Sequence, residues 1–136
     1  MYTYKVELVK VVDGDTVDVD IDLGFGMWLK KERVRLAGID APESRTSDKI
    51  EKVFGNLAKK RVTEFLANGE IHLVSAAFEG KFGRILGDFI VNGDSLCNTL
   101  LVEHHAVHYE GQSKDDIEQA HLKNREILIS EGIVQL

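Results

Sequence analysis

Apolar and polar residues alternate strictly in the stretch that follows the first fifteen residues. Val17, Val19, Ile21 and Leu23 occupy every second position, and aspartates fill the positions between them. Successive side chains of a β-strand point to opposite faces, so these four apolar side chains share one face. The pattern predicts a half-buried strand with an acidic face. We expect the aspartates on that face to meet only water, and they are Asp18, Asp20 and Asp22.

The same kind of pattern predicts the other elements. Further strands are expected at Thr3–Val12, Glu32–Ala37, Glu70–Ser75 and Arg84–Val91. Helices are expected from Asp48 to Asn68-Gly69, at Ser95–Glu103 and at Asp115–Glu131. This order matches an α+β, mainly β fold: a five-stranded OB-fold barrel, the oligonucleotide/oligosaccharide-binding type, with about three packed helices.

Two local signals refine this scheme. Asp48 and Glu51 have the spacing of a capping box, which marks the start of the first helix. Between the second and third strands, the segment LGFGMW has glycines on both sides of Phe25. Glycine is typical of turns and loops, so this segment is predicted to be a loop.

Length and composition indicate one globular domain. The chain has 136 residues, and we expect a single OB-fold domain over residues 1–136. The only cysteine, Cys97, excludes an internal disulfide, and its leucine-rich surroundings favour a buried apolar role over that of a nucleophile. The start MYTYKVELVK lacks a signal-peptide pattern, and no apolar run approaches the roughly 20 residues that span a bilayer. We therefore expect a cytoplasmic monomer without a membrane partner, although a mature secreted chain would share these features.

The formal net charge of −6 argues against nucleic-acid binding, because phosphate contacts need lysine and arginine. The charge is unevenly distributed, however. Residues 30–61 hold ten basic and five acidic side chains, so this segment carries +5 and the rest of the chain −11. Such asymmetry is typical of a positive patch on an acidic body. For Lys59–Arg61, a solvated helix surface is the simpler interpretation.

The dense aspartates of DGDTVDVDID superficially resemble a calcium-binding EF-hand loop. That loop needs glycine at its sixth position and a bidentate glutamate at its twelfth. Counted from Asp13, these positions hold Asp18 and Gly24. The alternating valines also predict a strand, and an EF-hand is therefore excluded.

Three separated segments hold the side chains best suited to catalysis or metal binding: VVDGDT at 11–16, RLAGIDAPE at 35–43 and KFGR at 81–84. Each lies at a predicted strand end or turn, where rigid elements present side chains. Carboxylates suit calcium or magnesium, and guanidinium groups suit a phosphoryl group. These residues suit metal-assisted phosphodiester hydrolysis, although surface ion pairs around turns would use the same residue types. They are Asp13, Asp15, Arg35, Asp40, Glu43 and Arg84.

In order and spacing, the three motifs resemble those of the staphylococcal nuclease-like (thermonuclease) family. The resemblance extends over nearly all of the chain, from about Tyr4 to Glu131. Any one motif alone would be weak evidence, whereas the three together are specific. The resemblance implies an OB-fold barrel and a calcium-dependent nuclease that hydrolyses DNA and RNA, typically leaving 3′-phosphate ends.

The resemblance also implies a calcium site. Asp15 and Asp40 match the family's direct calcium carboxylates, and Asp13 matches a carboxylate that lies near the ion without binding it. Ala41 replaces a frequent threonine whose backbone carbonyl binds calcium. The carbonyl is retained here, so we expect metal binding to persist.

Further residues match catalytic and substrate-binding positions. Glu43 matches the proposed general base, or the group that holds the nucleophilic water. Arg35 matches the arginine on the scissile phosphate, and Arg84 matches the arginine that stabilises transition-state charge. Lys81 matches a lysine that often touches a terminal phosphate. Tyr109 is the candidate for the family's phosphate-binding tyrosine.

The chain departs from the family pattern in three places. Phe82 replaces a usual tyrosine, which leaves a ring for stacking but removes a hydrogen-bond donor. His108 is an alternative to Tyr109 for the phosphate contact. The loop with Phe25 and Trp28 looks longer than usual. Its aromatic side chains are expected either to form an edge or lid of the site or to close the barrel end.

The histidines offer an alternative metal site. His104, His105 and His108 form H-H-x-x-H, and an i, i+4 histidine pair can hold zinc, but no further ligand set is evident nearby. His72 and His121 are interpreted as structural.

The sequence leaves three functions to consider: a calcium-dependent nuclease, an inactive binding module and a zinc enzyme. A catalytically inactive OB-fold module would bind nucleic acid or a modified peptide, usually after loss of the acidic or arginine positions. A zinc enzyme would stay active without calcium. Because all the acidic and arginine positions of the family are present, we expect a calcium-dependent endonuclease with DNA and RNA as substrates.

Overall fold

The computed structural model describes residues 2–79 and 84–136, with the backbone alone for residues 77–79. The strands are β1 Thr3–Asp13, β2 Thr16–Gly24, β3 Met27–Leu36, β4 Ile39–Asp40, β5 Ile71–Glu79, β6 Arg84–Val91, β7 Asp94–Ser95 and β8 Val107–His108. The helices are α1 Lys49–Leu66, α2 Leu96–Val102 and α3 Lys114–Ser130. Among the described residues, no helix has both the length and the apolar character required to cross a membrane.

Five strands close into a barrel. The large sheet has the order β3-β2-β1-β5-β6, and the short β7 pairs with β6. β3 and β6 then pair in parallel, from Arg33 opposite Arg84 to Leu36 opposite Gly87, which closes the sheet on itself. A separate two-stranded sheet, which the sequence pattern did not predict, joins β4 and β8. The predicted five-stranded OB-fold barrel with three helices is confirmed.

Alternating strand residues fill the barrel. Val17, Val19 and Val34 are fully buried, as the period of two predicts for β2, and Leu73 and Phe89 join the same cluster from β5 and β6. At roughly 25 cal/mol per Å² of apolar surface removed from water, burying each such side chain stabilises the fold by about 1.5–3 kcal/mol. The rigid barrel thus supports the turns at its rim.

The third helix is anchored at two points. Leu128 packs against Phe54 of α1 in a second buried cluster, and the Arg125 guanidinium lies 5.3 Å from the Phe54 ring centre. One residue earlier, the Asn124 amide donates a 3.0 Å hydrogen bond to the Ala106 carbonyl. These contacts fix α3 against both α1 and the segment that leads into β8.

The segment between β2 and β3 is a tight turn, so the loop predicted for LGFGMW is wrong for all but its two central residues. Phe25 and Gly26 alone connect the strands, because β2 ends at Gly24 and β3 begins at Met27. Phe25 has φ 57° between two glycines with φ 82° and 76°. Glycine adopts these left-handed conformations without steric cost, which permits the sharp reversal.

The outer aspartates of β2 do not meet only water, and that prediction is also wrong. Asp18 accepts two hydrogen bonds from the Arg33 guanidinium, at 2.9 and 3.1 Å. Asp20 accepts a 2.9 Å hydrogen bond from the Lys31 backbone N–H, and Asp22 caps the turn backbone at 2.8 Å. Side chains directly opposite on neighbouring antiparallel strands lie close enough to pair. The alternation identified the face of β2 but not the basic partners on β3.

The first helix begins as predicted, but its capping contacts differ. Asp48 is the N-cap, and its carboxylate accepts hydrogen bonds from the Ile50 and Glu51 backbone N–H groups at 3.0 and 3.1 Å. The Glu51 carboxylate turns away from the expected reciprocal contact and accepts a 3.0 Å hydrogen bond from the Glu43 backbone N–H. The helix start is therefore tied to the loop that follows β4.

Candidate active site

An open groove of about 820 Å³ lies at the rim of the barrel, where the β1–β2 turn and the segment after β3 meet α1 and α3. Four distant parts of the sequence line this groove. Its acidic residues are Asp13, Asp15, Asp40, Glu43, Asp48, Glu51 and Glu118. Its basic residues are Arg35, Lys114 and Arg125. The fold thus brings most of the predicted site residues into one groove.

Arg35 lies between the two carboxylates predicted to bind metal. Its Nη1 is 3.5 Å from Asp15 Oδ2, and its Nη2 is 3.4 Å from Asp40 Oδ1. Strand register explains this meeting, because Thr16 pairs with Arg35 and therefore places Asp15 beside it. The guanidinium thus places one positive charge between the two carboxylates.

The Asp15 carboxylate is held in a low-dielectric position. Burial raises its pKa above the ordinary value, while Arg35 and a hydrogen bond from the Ala41 backbone N–H act in the opposite direction. Because burial prevails, the charged form of Asp15 is incompletely compensated. An additional positive charge at this point would stabilise it.

The loop after β4 is tied to the β1–β2 turn through backbone donors. The Ala41 N–H donates to Asp15 Oδ2 at 3.0 Å, and the Ser44 N–H donates to Asp13 Oδ1 at 3.0 Å. Asp13 thus supports the loop that carries Glu43, in addition to lining the groove. The Glu43 side chain itself is exposed.

Gly55 of α1 packs against the backbone of the same loop. A Cβ added at Gly55 would lie 2.1 Å from the Glu43 carbonyl oxygen and 2.7 Å from the Ser44 nitrogen. Backbone atoms cannot move aside as the end of a flexible side chain can. The close approach of helix and loop therefore requires glycine.

We predict that Gly55→Ala destabilises the fold and displaces Glu43. Alanine favours a helix over glycine by about 1 kcal/mol, yet overpacking of this kind costs about 1–3 kcal/mol, so the free energy of unfolding should fall. Urea denaturation measures this change. Asn56→Ala, at the neighbouring exposed position, is the control and should not destabilise. Equal stability of Gly55→Ala and the parent chain would contradict the packing described.

The predicted substrate-binding residue Tyr109 and the predicted catalytic residue Arg84 are placed differently from each other. Tyr109 lines the groove and remains 46% exposed, with its backbone N–H donating to the Gly38 carbonyl at 2.9 Å. Arg84 begins β6 opposite Arg33, two residues from Arg35 on β3, but it is not among the groove-lining residues that the structure describes. Lys81 and Phe82 lie outside the described residues.

The aromatic residues of the β2–β3 hairpin lie far from the groove. Thr16 and Arg35 pair at the groove end of the hairpin, whereas Gly24 pairs with Met27 at its tip. Eight residues at about 3.3 Å each separate the two ends by roughly 25 Å. Phe25 is fully exposed at this tip, so the predicted role of Phe25 and Trp28 as an edge or lid of the site is wrong.

The H-H-x-x-H histidines do not converge on a metal position. His104 has a left-handed backbone with φ 65°, His105 is buried, and His108 is exposed on β8. In the described part of the chain, no group of three or more histidine, cysteine or acidic side chains is arranged to hold a metal ion. The zinc alternative therefore loses its structural basis.

His105 makes the stability of the fold sensitive to pH. Burial lowers its pKa below the ordinary value, although Glu103 at 3.9 Å acts in the opposite direction and Glu64 also raises it; Arg61 and His104 lower it further. The unfolded chain therefore binds this proton more readily than the folded chain.

We predict that the free energy of unfolding falls as pH decreases through about 6.5, the ordinary histidine pKa. Urea denaturation of the parent chain and of His105→Leu at pH 7.5 and 5.5 isolates this contribution. The loss of stability between the two pH values should be smaller in His105→Leu. An equal loss in both proteins would contradict the prediction.

Two contacts at the site escaped sequence reasoning. His121 Nε2 of α3 lies 2.8 Å from Asp40 Oδ2, although His121 was predicted to be merely structural. Glu51 contacts the Glu43 backbone through the carboxylate that was assigned to a capping box. The His121 contact is not local, because 81 residues separate His121 from Asp40, whereas Glu51 and Glu43 are eight residues apart.

The barrel and the groove at its rim define an OB-fold protein whose paired carboxylates and arginine are suited to phosphoryl chemistry. The sequence matches the family described as staphylococcal nuclease homologue over residues 33–128. The chain therefore belongs to the staphylococcal nuclease homologue family. The predicted membership of the staphylococcal nuclease-like family is confirmed.

Individual relatives carry nuclease names. The chain is 34% identical to Endonuclease YncB of Bacillus subtilis over 101 residues, which cover 73% of this chain and 45% of the relative. It is 33% identical to the Micrococcal nuclease of Shigella flexneri over 84 residues, 62% of this chain and 41% of the relative. It is 30% identical to the Thermonuclease of Staphylococcus intermedius over 95 residues, 69% and 52%. The matched regions thus span about half or less of these curated relatives.

Proposed function

We propose that this domain is a calcium-dependent nuclease that hydrolyses phosphodiester bonds in DNA and RNA and leaves 3′-phosphate ends. One observation carries the proposal: a single groove gathers the Asp15 and Asp40 carboxylates, bridged by Arg35, together with Glu43. Membership of the staphylococcal nuclease homologue family and the nuclease names of its relatives support it.

The donor set fits a hard cation. Asp15 and Asp40 supply carboxylate oxygens, which calcium and magnesium prefer. Ala41, the residue after Asp40, supplies a backbone carbonyl. Incomplete compensation of the buried Asp15 charge favours an added cation. Because only two carboxylates bind directly in this proposal, the remaining ligands are water and substrate oxygens. A calcium ion bound there would polarise the phosphoryl oxygen and offset developing negative charge.

Protein side chains contact the phosphate and activate the attacking water. Arg35 is preset by hydrogen bonds to the Leu36 and Ile39 carbonyls at 3.2 and 2.9 Å, so its guanidinium reaches the groove with little freedom. From there it contacts the scissile phosphate and stabilises its transition-state charge. Glu43, exposed on the anchored loop, accepts a proton from the attacking water or holds that water in place.

Further residues complete the proposed site. Arg84 adds positive charge toward the phosphate from the start of β6, next to β3. Tyr109, which lines the groove, is proposed to contact a substrate phosphate through its hydroxyl group, and Lys81 a terminal phosphate. Asp13 acts through the loop it anchors, since its carboxylate accepts the Ser44 N–H.

A cleavage panel tests the proposed function. The chain is incubated with single- and double-stranded DNA and RNA in calcium and in magnesium, and product ends are identified by their response to a 3′-phosphatase. We expect cleavage of both nucleic acids in calcium, with 3′-phosphate ends. Retention of labelled DNA without cleavage in calcium would instead indicate a binding module.

A further inference from the structure

We propose that His121 is a positioning residue for the Asp40 carboxylate, an inference that rests on the proposed function. His121 Nε2 lies 2.8 Å from Asp40 Oδ2, and a carboxylate oxygen only accepts hydrogen bonds, so Nε2 is the donor. The contact joins the middle of α3 to the end of β4. It is largely shielded, because the His121 and Asp40 side chains are 14% and 30% exposed.

The contact selects one orientation of the Asp40 carboxylate. Oδ2 is engaged by His121, while Oδ1 lies 3.4 Å from Nη2 of Arg35, whose other terminal nitrogen, Nη1, lies 3.5 Å from Asp15 Oδ2. With Oδ2 held by the helix, Oδ1 stays directed toward Arg35, which also contacts Asp15. His121 thereby keeps the Asp40 carboxylate in one orientation relative to Arg35 and Asp15, the orientation that the proposed calcium site uses.

The helix is a firm support for this donor. Asn124, one turn after His121, donates to the Ala106 carbonyl at 3.0 Å, and Ala106 directly precedes β8, the partner strand of β4. Arg125 stacks over Phe54 of α1. These two contacts lie on the same face of α3 as His121, so they fix the helix in the position from which the imidazole reaches Asp40.

Supporting hydrogen bonds of this kind have a measurable effect. Loss of a partner that orients a metal-binding side chain typically weakens metal affinity by about 10–100-fold. A purely structural tie between helix and strand would instead change the thermal stability and leave the metal affinity unchanged. Calcium affinity and thermal stability together therefore separate the two roles.

Isothermal titration calorimetry with calcium alone tests the inference. His121→Gln keeps an amide N–H near the position of Nε2, whereas His121→Asn ends one bond short and His121→Leu has no donor. We expect Gln to bind calcium within about threefold of the parent chain, and Asn and Leu to bind it about 10–100-fold more weakly. The control is His72→Leu. His72 lies on β5, its imidazole is 3.4 Å from the Glu70 carboxylate, and its loss should leave calcium binding normal.

Cleavage kinetics provide a second readout. In His121→Asn, raising the calcium concentration should restore most of kcat, because the defect lies in holding the ion. Melting temperatures measured with a chelator show whether each variant is folded. If Asn and Leu bind calcium as tightly as the parent chain, or if Gln binds as weakly as Leu, the inference is overturned while the proposed function stands. A parent chain that takes up no calcium would overturn both.

Discussion

Asp40→Asn is expected to reduce the rate of DNA cleavage in calcium by roughly 10²–10⁴-fold, the equivalent of several kcal/mol of lost charge stabilisation. The substitution keeps the size of the side chain but removes its negative charge. It also places an amide where Oδ1 and Oδ2 now accept from Arg35 and His121. Initial rates on single-stranded DNA at fixed calcium measure the effect.

Asp22→Asn is the matched control. This substitution makes the same chemical change as Asp40→Asn on the same barrel. Asp22, however, lies near the hairpin tip and caps the turn backbone, a contact that an asparagine oxygen can retain. Surface changes of this kind alter free energies by at most about 0.5 kcal/mol, so the rate should change by less than about threefold. Similar rates for Asp40→Asn and Asp22→Asn would show that the groove is not the site of cleavage.

Arg35→Lys is expected to slow cleavage by roughly 10²–10³-fold although the positive charge is preserved. A lysine ammonium is a point charge, whereas the guanidinium presents parallel donors that match a phosphoryl group and the two flanking carboxylates. Arg35 also donates to the Leu36 and Ile39 carbonyls. A lysine ammonium at this position cannot reach both carbonyls and the two carboxylates at once. The loss should therefore appear mainly in kcat.

Arg33→Lys, two residues away on β3, provides the comparison. Arg33 forms its bidentate pair with Asp18 on the outer face of the hairpin, and exposed pairs contribute about 0–1 kcal/mol. Its cleavage rate should stay close to that of the parent chain. A comparable loss in both variants would indicate a general defect of β3 instead of a phosphate contact by Arg35.

Much of the fold could be predicted from local pattern. The alternating valines of β2 are buried, and β6 occupies Arg84–Val91 as predicted, since the turn residues Asn92-Gly93 close it. The groove could also be anticipated in outline, because residues of the motifs VVDGDT and RLAGIDAPE meet at the rim of the closed barrel. Family resemblance supplied the roles of those residues, which composition and spacing alone left open.

What escaped prediction depends on how distant elements dock. The contact of His121 with Asp40 requires α3 to be placed by Asn124 and Arg125, and neither anchor is visible in the pattern of α3. Glu51 had a suitable local partner at the helix start, yet the Glu43 loop lies close enough to compete for its carboxylate. Local signals identify which groups need partners, and tertiary packing decides which partner each group finds.

Removal and return of calcium test directly whether cleavage by the parent chain requires this ion. DNA is incubated in calcium, a chelator is added in excess, and calcium is then restored above the chelator concentration. If the Asp15–Asp40 pair holds a calcium ion required for phosphodiester hydrolysis, cleavage stops with chelator and resumes with calcium. Cleavage that continues at full rate in the chelator would show that hydrolysis does not require calcium.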